Sequence, residues 1–327
     1  MHVHRGAAQA FLSPLLPAVL PAVLPALLLP ALVVATPSSA APVATESPFA
    51  ATLVAYDAGS GAAPGFTNAI AALGSPERFT GEGLIPSCVT PFQPAFRPDE
   101  IVSIGVGGSL VVAFDHEVVD DPRNPFGIDL LVFGNAFFTD QSFGGGVVAG
   151  LASEGGAIEV SADGETFVEV RKLEADGLFP TLGFLDAGPY ATVAGGIESD
   201  FLRPVDPAWT MGTIVGLGYD SLLDAYDGSG GGVGIDLART GLASIRFVRI
   251  RGPLVPGFSP EIDAFADVAP LAASPDLDGD GTVGAGDLAI LLGAWGGPHA
   301  AADLDANGLV EAADLAALLA AWGAVQP

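Results

Sequence analysis

The segment Asp276-Leu277-Asp278-Gly279-Asp280-Gly281-Thr282-Val283-Gly284-Ala285-Gly286-Asp287 is followed 27 positions later by Asp303-Leu304-Asp305-Ala306-Asn307-Gly308-Leu309-Val310-Glu311-Ala312-Ala313-Asp314. From Asp276 to Gly296, 14 of 21 positions recur identically from Asp303 to Gly323. A duplicated unit of this size must fold twice in the same way, so each copy specifies one small structure. A hard cation wants six to eight oxygens. A twelve-residue loop supplies them from positions 1, 3, 5, 7, 9 and 12 around a turn that needs glycine at position 6. The first loop then offers the side chains of Asp276, Asp278, Asp280 and Asp287 and the carbonyl of Thr282, with Gly281 at the turn. The second offers Asp303, Asp305, Asn307, Glu311 and Asp314 and the carbonyl of Leu309, with Gly308 at the turn. Both loops read as calcium sites, one ion each. Position 12 is Asp rather than the longer, bidentate Glu.

After the first loop, Leu288, Leu291, Leu292 and Trp295 fall at i, i+3, i+4 and i+7, and Leu315, Leu318, Leu319 and Trp322 repeat them. The spacing predicts one amphipathic helix per loop, closed by Gly296 or Gly323. Pro275 and Pro298 stand just upstream of the loops and argue against a helix entering either. A duplicated loop with only its exiting helix resembles the type I dockerin family. The resemblance covers residues 276–324 and implies docking onto a cohesin-like partner, or another surface protein. Loop positions 10 and 11 are Ala285 and Gly286, then Ala312 and Ala313, where better-known dockerins carry Ser or Thr, and the segment has neither Lys nor Arg.

Residues 1–40 read as an export signal: Arg5 precedes a long apolar run, and Ser38-Ser39-Ala40 places small residues before a cleavage point. Pro14, Pro17, Pro21, Pro25 and Pro30 interrupt that run, which argues against a permanent membrane span. The chain is therefore expected outside the cell or on its surface. Eleven Lys and Arg against 38 Asp and Glu give a formal charge of −27, which repels phosphate backbones and excludes nucleic acid as a partner. A single cysteine, Cys88, allows no intrachain disulfide, so burial and metal ions must hold the exported chain together.

Residues 49–269 read as strands. Ser109–Phe114 and Asp129–Phe133 are short, β-branched or aromatic runs; Ile158–Ser161 and Thr166–Val170 alternate around Asp163-Gly164, a hairpin signal. Ser244–Arg251 alternates until Phe247-Val248, where a bulge is expected. The expected fold class is mainly β, a β-sandwich with a small all-α C-terminal calcium module. Val102–Ser109, Asp129–Phe137, Ile158–Gly164 and the closing stretch from Ile235 to Phe265 resemble, in their order, exported bacterial proteins with a discoidin-like, or galactose-binding-like, jelly roll. That resemblance implies loops presented to a glycan, and a structural cation near the last strand. Glu261 and Asp263, joined by Asp57, are the candidates for that third ion. Asp129 and Asn135 flank an apolar strand and either cap turns or line a ligand site. A polysaccharide site needs an aromatic platform, for which Trp209, Tyr190, Tyr219 and Tyr226 are the candidates.

No residue is assigned a catalytic role. The central domain has one histidine, His116, expected at the surface beside a turn, and no Gly-x-Ser-x-Gly elbow. Three readings stay open: a noncatalytic glycan- or matrix-binding protein tethered by its tail, a carbohydrate-active hydrolase or lyase working through paired carboxylates, and a structural cell-surface protein.

Overall fold

The computed structural model describes residues 46–269, 274–278, 280–297, 299, 301–304 and 309–324. The expected export signal, residues 1–40, lies outside the described residues. The strands of the larger part run, in chain order, β1 (Thr52–Asp57), β2 (Phe79–Thr80), β3 (Ser87–Cys88), β4 (Val102–Ser103), β5 (Ser109–Val119), β6 (Leu130–Gly134), β7 (Phe137–Asp140), β8 (Val148–Ala152), β9 (Gly155–Ser161), β10 (Val168–Asp176), β11 (Val233–Ile235), β12 (Ser244–Arg251) and β13 (Glu261–Asp267). Two helices, α1 (Met211–Ile214) and α2 (Tyr219–Tyr226), lie between β10 and β11.

The protein is mainly β. A five-stranded antiparallel sheet has the order β1-β5-β12-β9-β10, and a four-stranded one the order β11-β6-β13-β4. One buried apolar cluster joins them: Leu110, Val112, Ile158, Val160, Val248 and Ile250 from the first sheet, Leu130, Val132, Ile262 and Phe265 from the second. Alternation along each strand places these side chains on the shared face, as in the two layers of a sandwich.

The β9–β10 hairpin turns where Asp163-Gly164 stands. Asp163 accepts from the amides of Glu165 and Thr166, both at 2.8 Å, and Gly164 takes a positive φ of 76°. At β12 the register against β5 shifts between Ile245 and Phe247, with the extra residues on β5, since Ile245 faces Val118 and Phe247 faces Ala113. His116 falls in that excess, half-buried within β5 and not beside a turn. Its Nδ1 and Nε2 lie 2.8 Å from Asp115 and 2.8 Å from Asp267, tying β5 to the end of β13.

The long passage from β10 to β11 builds a second cluster that sequence periodicity does not announce, with Phe92, Phe138, Phe179, Ile214, Leu222 and Tyr226 among its members. Cys88 is fully buried, its thiol donating to the Val193 carbonyl at 3.0 Å, and burial pushes its pKa up. Among the described residues no helix is long and apolar enough to cross a membrane.

The C-terminal part holds β14 (Thr282–Val283), α3 (Ala285–Gly293), α4 (Ala312–Ala320) and β15 (Gly323–Ala324). Val283 pairs with Gly323, and the equivalent positions one repeat apart, Val310 and Gly296, are also joined, the Gly296 amide donating to the Val310 carbonyl at 2.8 Å. The segment is thus not purely helical: a short ladder ties the two copies. Each predicted helical face divides. Leu291 and Leu318 are buried together with Val283, Ala302 and Val310, while Leu292, Trp295, Leu319 and Trp322 are about half exposed.

Candidate metal centre

The first acidic loop closes on itself through its own carboxylates. Asp276 Oδ2 accepts from the Gly281 amide at 2.9 Å, Asp278 Oδ1 from Asp280 at 3.2 Å, and Asp280 Oδ1 from Thr282 at 2.8 Å. Gly281 has φ 85°, a left-handed turn glycine favours. Asp287, in the first turn of α3, is 1% exposed. It accepts from Leu277 at 2.6 Å, Asp278 at 3.1 Å and Gly284 at 2.6 Å. These backbone donors, that of Gly284 above all, hold its carboxyl below the usual range. One oxygen each of Asp276, Asp278 and Asp287 lies within 4.8 Å of the others, the spacing of ligands around one ion. Asp276 Oδ1 is buried and accepts no hydrogen bond. A buried carboxylate oxygen without a donor is costly unless a cation meets it.

The second loop repeats this frame. Asp314, 0% exposed, accepts from Leu304 at 2.6 Å and from Glu311 at 2.7 Å, as Asp287 does from Leu277 and Gly284. Asp303 is also buried, and Leu309 is exposed. Asp305 and Asn307 lie outside the described residues.

A second group that could hold a metal joins Asp120, Asp129 and Asp236, again within 4.8 Å. Of these only Asp129 is among the candidates expected from sequence. Its buried carboxylate accepts from Asp121 at 3.0 Å, from Asn124 Nδ2 at 2.8 Å and from Leu237 at 2.9 Å, so it organises the turn before β6. Asp129 and Asp236 are far apart in the chain and are brought together by the pairing of β6 with β11, while the Asp121 amide, donating to Asp129, holds the end of β5 beside them.

The expected third site at Glu261, Asp263 and Asp57 is not assembled. Asp57 is exposed and caps the turn at Gly59, accepting from its amide at 3.0 Å. The register shift between Ile262 and Ala264 sends Glu261 and Asp263 to different neighbours. Glu261 is hydrogen-bonded to Glu154 close to Asp176. Burial first, then that bond, pushes it up to about 8, and burial pushes Asp176 up to about 7. Asp263 accepts from the Glu77 amide at 3.1 Å and is raised by burial; Glu77, raised to about 7, shares that neighbourhood with Glu100. Glu154 lines a cleft of about 580 Å³ together with Glu174, Arg251, Leu254 and Phe258.

The aromatic candidates also separate. Tyr219 and Tyr226 sit on α2, not in loops, and face the second core cluster; Tyr226 is 0% exposed and donates to the Pro180 carbonyl at 2.7 Å. Neither reaches solvent well enough to stack on a sugar. Trp209 is half-buried against the same cluster. Tyr190 is half-buried and donates to Asp140 at 2.9 Å, and its ring lies 4.9 Å from that of Phe143. Phe143 itself is 91% exposed. Its loop is tied to Asp140, which accepts from the amides of Ser142, Gly145, Gly146 and Val147 at 2.9–3.2 Å. Burial alone would raise the Asp140 pKa, but these bonds outweigh it and hold it well below the ordinary value. Phe143 and Tyr190 form a ring pair with one exposed member, of which the sequence points to Tyr190 alone. The signal for Phe143 is an aromatic residue in the glycine-rich turn Ser142-Phe143-Gly144-Gly145-Gly146.

No model of a known protein family matches this chain, and comparison with curated protein sequences finds no match.

Proposed function

We propose that this is an exported, noncatalytic protein whose β-rich part binds a glycan or matrix polymer and whose C-terminal repeat is a calcium-dependent, dockerin-like tether. The observation that carries the tether is the first loop: three carboxylates spaced for one ion, with Asp276 Oδ1 buried and without a donor. An all-oxygen set suits calcium rather than a softer metal. The half-exposed Leu292, Trp295, Leu319 and Trp322 offer a cohesin-like or other surface protein an apolar face. For the glycan, Phe143 over Tyr190 supplies a ring for the C–H face of a sugar. The jelly-roll resemblance supports the same reading, since loops at the end of such a sandwich commonly meet saccharides.

The test is retention of the full chain on immobilised polysaccharides in calcium, with the eluate assayed for released sugar. Retention without release, lost in Phe143→Ala, is the expected result. Retention unchanged in that variant removes the platform from the reading.

One observation favours a second reading, a polysaccharide hydrolase or lyase. Glu154 lines the 580 Å³ cleft and shares a hydrogen bond with Glu261, which lies close to Asp176, and paired carboxylates are what acid–base cleavage needs. Sugar release abolished by Glu154→Gln would establish it.

A further inference from the structure

Strand β10 carries a wide irregularity: Val170 faces Ile158 of β9, and the next paired residue, Glu174, faces Ala157, leaving Arg171, Lys172 and Leu173 without partners. Lys172 has a positive φ of 69°, a left-handed conformation that costs a non-glycine residue energy. Consecutive residues of a regular strand point to opposite faces. Here the bulge lets Arg171 and Lys172 line one cleft of about 670 Å³, whose other walls include Ile128, Val168, Pro207 and Arg239.

These two cations are uncompensated. Among the described residues every arginine except Arg171 and Arg246 sits in an ion pair, and Lys172, the single lysine of the chain, has none. The acids at the cleft are already engaged: Asp236 with Arg239 at 3.0 Å and Glu169 with Arg251 at 3.2 Å. A chain with 38 acidic residues and 11 basic ones has carboxylates to spare, yet these neighbours stay exposed and unpaired in a concave site. Three cations, Arg171, Lys172 and Arg239, line the cleft against two carboxylates, Glu169 and Asp236, so an anionic group is drawn to it more than to the acidic surface elsewhere. The apolar walls suit the C–H faces of a sugar ring, and Arg171 suits a carboxylate fork.

We propose that this cleft binds an acidic saccharide, the carboxylates of its uronate units on Arg171 and Lys172 and its ring faces on the apolar lining. The proposal rests on the glycan-binding reading and adds the ligand class.

The experiment is calorimetry of the full chain at fixed calcium with trigalacturonate and with its methyl ester, which keeps the rings and removes the charge. The expected result is binding of the acid at least about tenfold tighter than the ester, with the preference lost in Arg171→Ala/Lys172→Gly and kept in Arg246→Ala. Glycine at 172 accepts the left-handed backbone, so the variant keeps the fold. Equal binding of acid and ester, or a preference that survives the double variant, overturns the proposal. Failure to bind trigalacturonate by a protein that neutral polysaccharides retain overturns it too but leaves the glycan reading standing; retention on no saccharide removes both. Self-association abolished by the same double variant, with no saccharide bound, would assign the cleft to an acidic segment of a second copy instead.

Discussion

His116 Nε2 and Asp267 Oδ2 stand 2.8 Å apart across 151 positions of sequence, with Asp115 on the other ring nitrogen at 2.8 Å. Partial burial alone would lower the imidazole pKa, but the two carboxylates outweigh it and the net shift is upward. The proton therefore belongs to the folded state. The bridge contributes its full stability below the unfolded value of about 6.5 and loses it as pH rises through the raised folded value. An NMR titration of the His116 ring should show a midpoint above that of a free histidine, and His116→Gln should remove this part of the pH dependence of Tm. A midpoint at or below the free value would contradict the bridge.

A larger effect of the same sign is expected from the buried acids. Glu77 and Asp176 rise to about 7 and Glu261 to about 8, all with burial as the first cause. Unfolded carboxyls titrate near about 4, so the folded chain binds more protons between these values and stability falls as pH climbs from about 4 through 8. Tm in fixed calcium should be highest in mild acid, and Asp176→Asn/Glu261→Gln should flatten the slope. A Tm that rises from pH 5 to 8 would refute the assignment.

For the acidic loops, the expectation is loss of about one bound ion per chain in Asp276→Ala and in Asp303→Ala, read by calorimetry. Chelation should lower the helical signal in circular dichroism, because the eight carboxylates between Asp276 and Asp314 then repel one another unopposed. Unchanged stoichiometry in either variant would count against its loop.

Tyr226→Phe should destabilise by about 1–3 kcal/mol, leaving the buried Pro180 carbonyl without its donor, with no change in saccharide retention. Chemical denaturation measures the first and affinity chromatography the second. Weaker retention with unchanged stability would return this residue to the surface.

What the sequence disclosed divides along the range of the forces involved. The Asp163-Gly164 hairpin, the turn at Gly281 and the helices after each acidic loop are local, set by turn chemistry and spacing within a few residues. The mainly β class is legible for the same reason. Sites made by distant strands were not. Asp236 reaches Asp129 only through the β6–β11 pairing, and the bulge between Ile262 and Ala264 parts Glu261 from Asp263, which strand alternation alone would have kept on one face. Glycines near Tyr219 and Tyr226 suggest loops, whereas the short helix α2 carries both residues and buries Tyr219, Leu222, Ala225 and Tyr226 at helical spacing.

The loop that carries Phe143 has a thermodynamic consequence. Asp140 already fixes its backbone at four amides, and the Tyr190 ring packs against Phe143 with centroids 4.9 Å apart. Freezing a loose loop costs about 1–2 kcal/mol for each residue immobilised. In this protein that entropy is surrendered during folding, so whatever settles on the ring meets a surface already in its final shape.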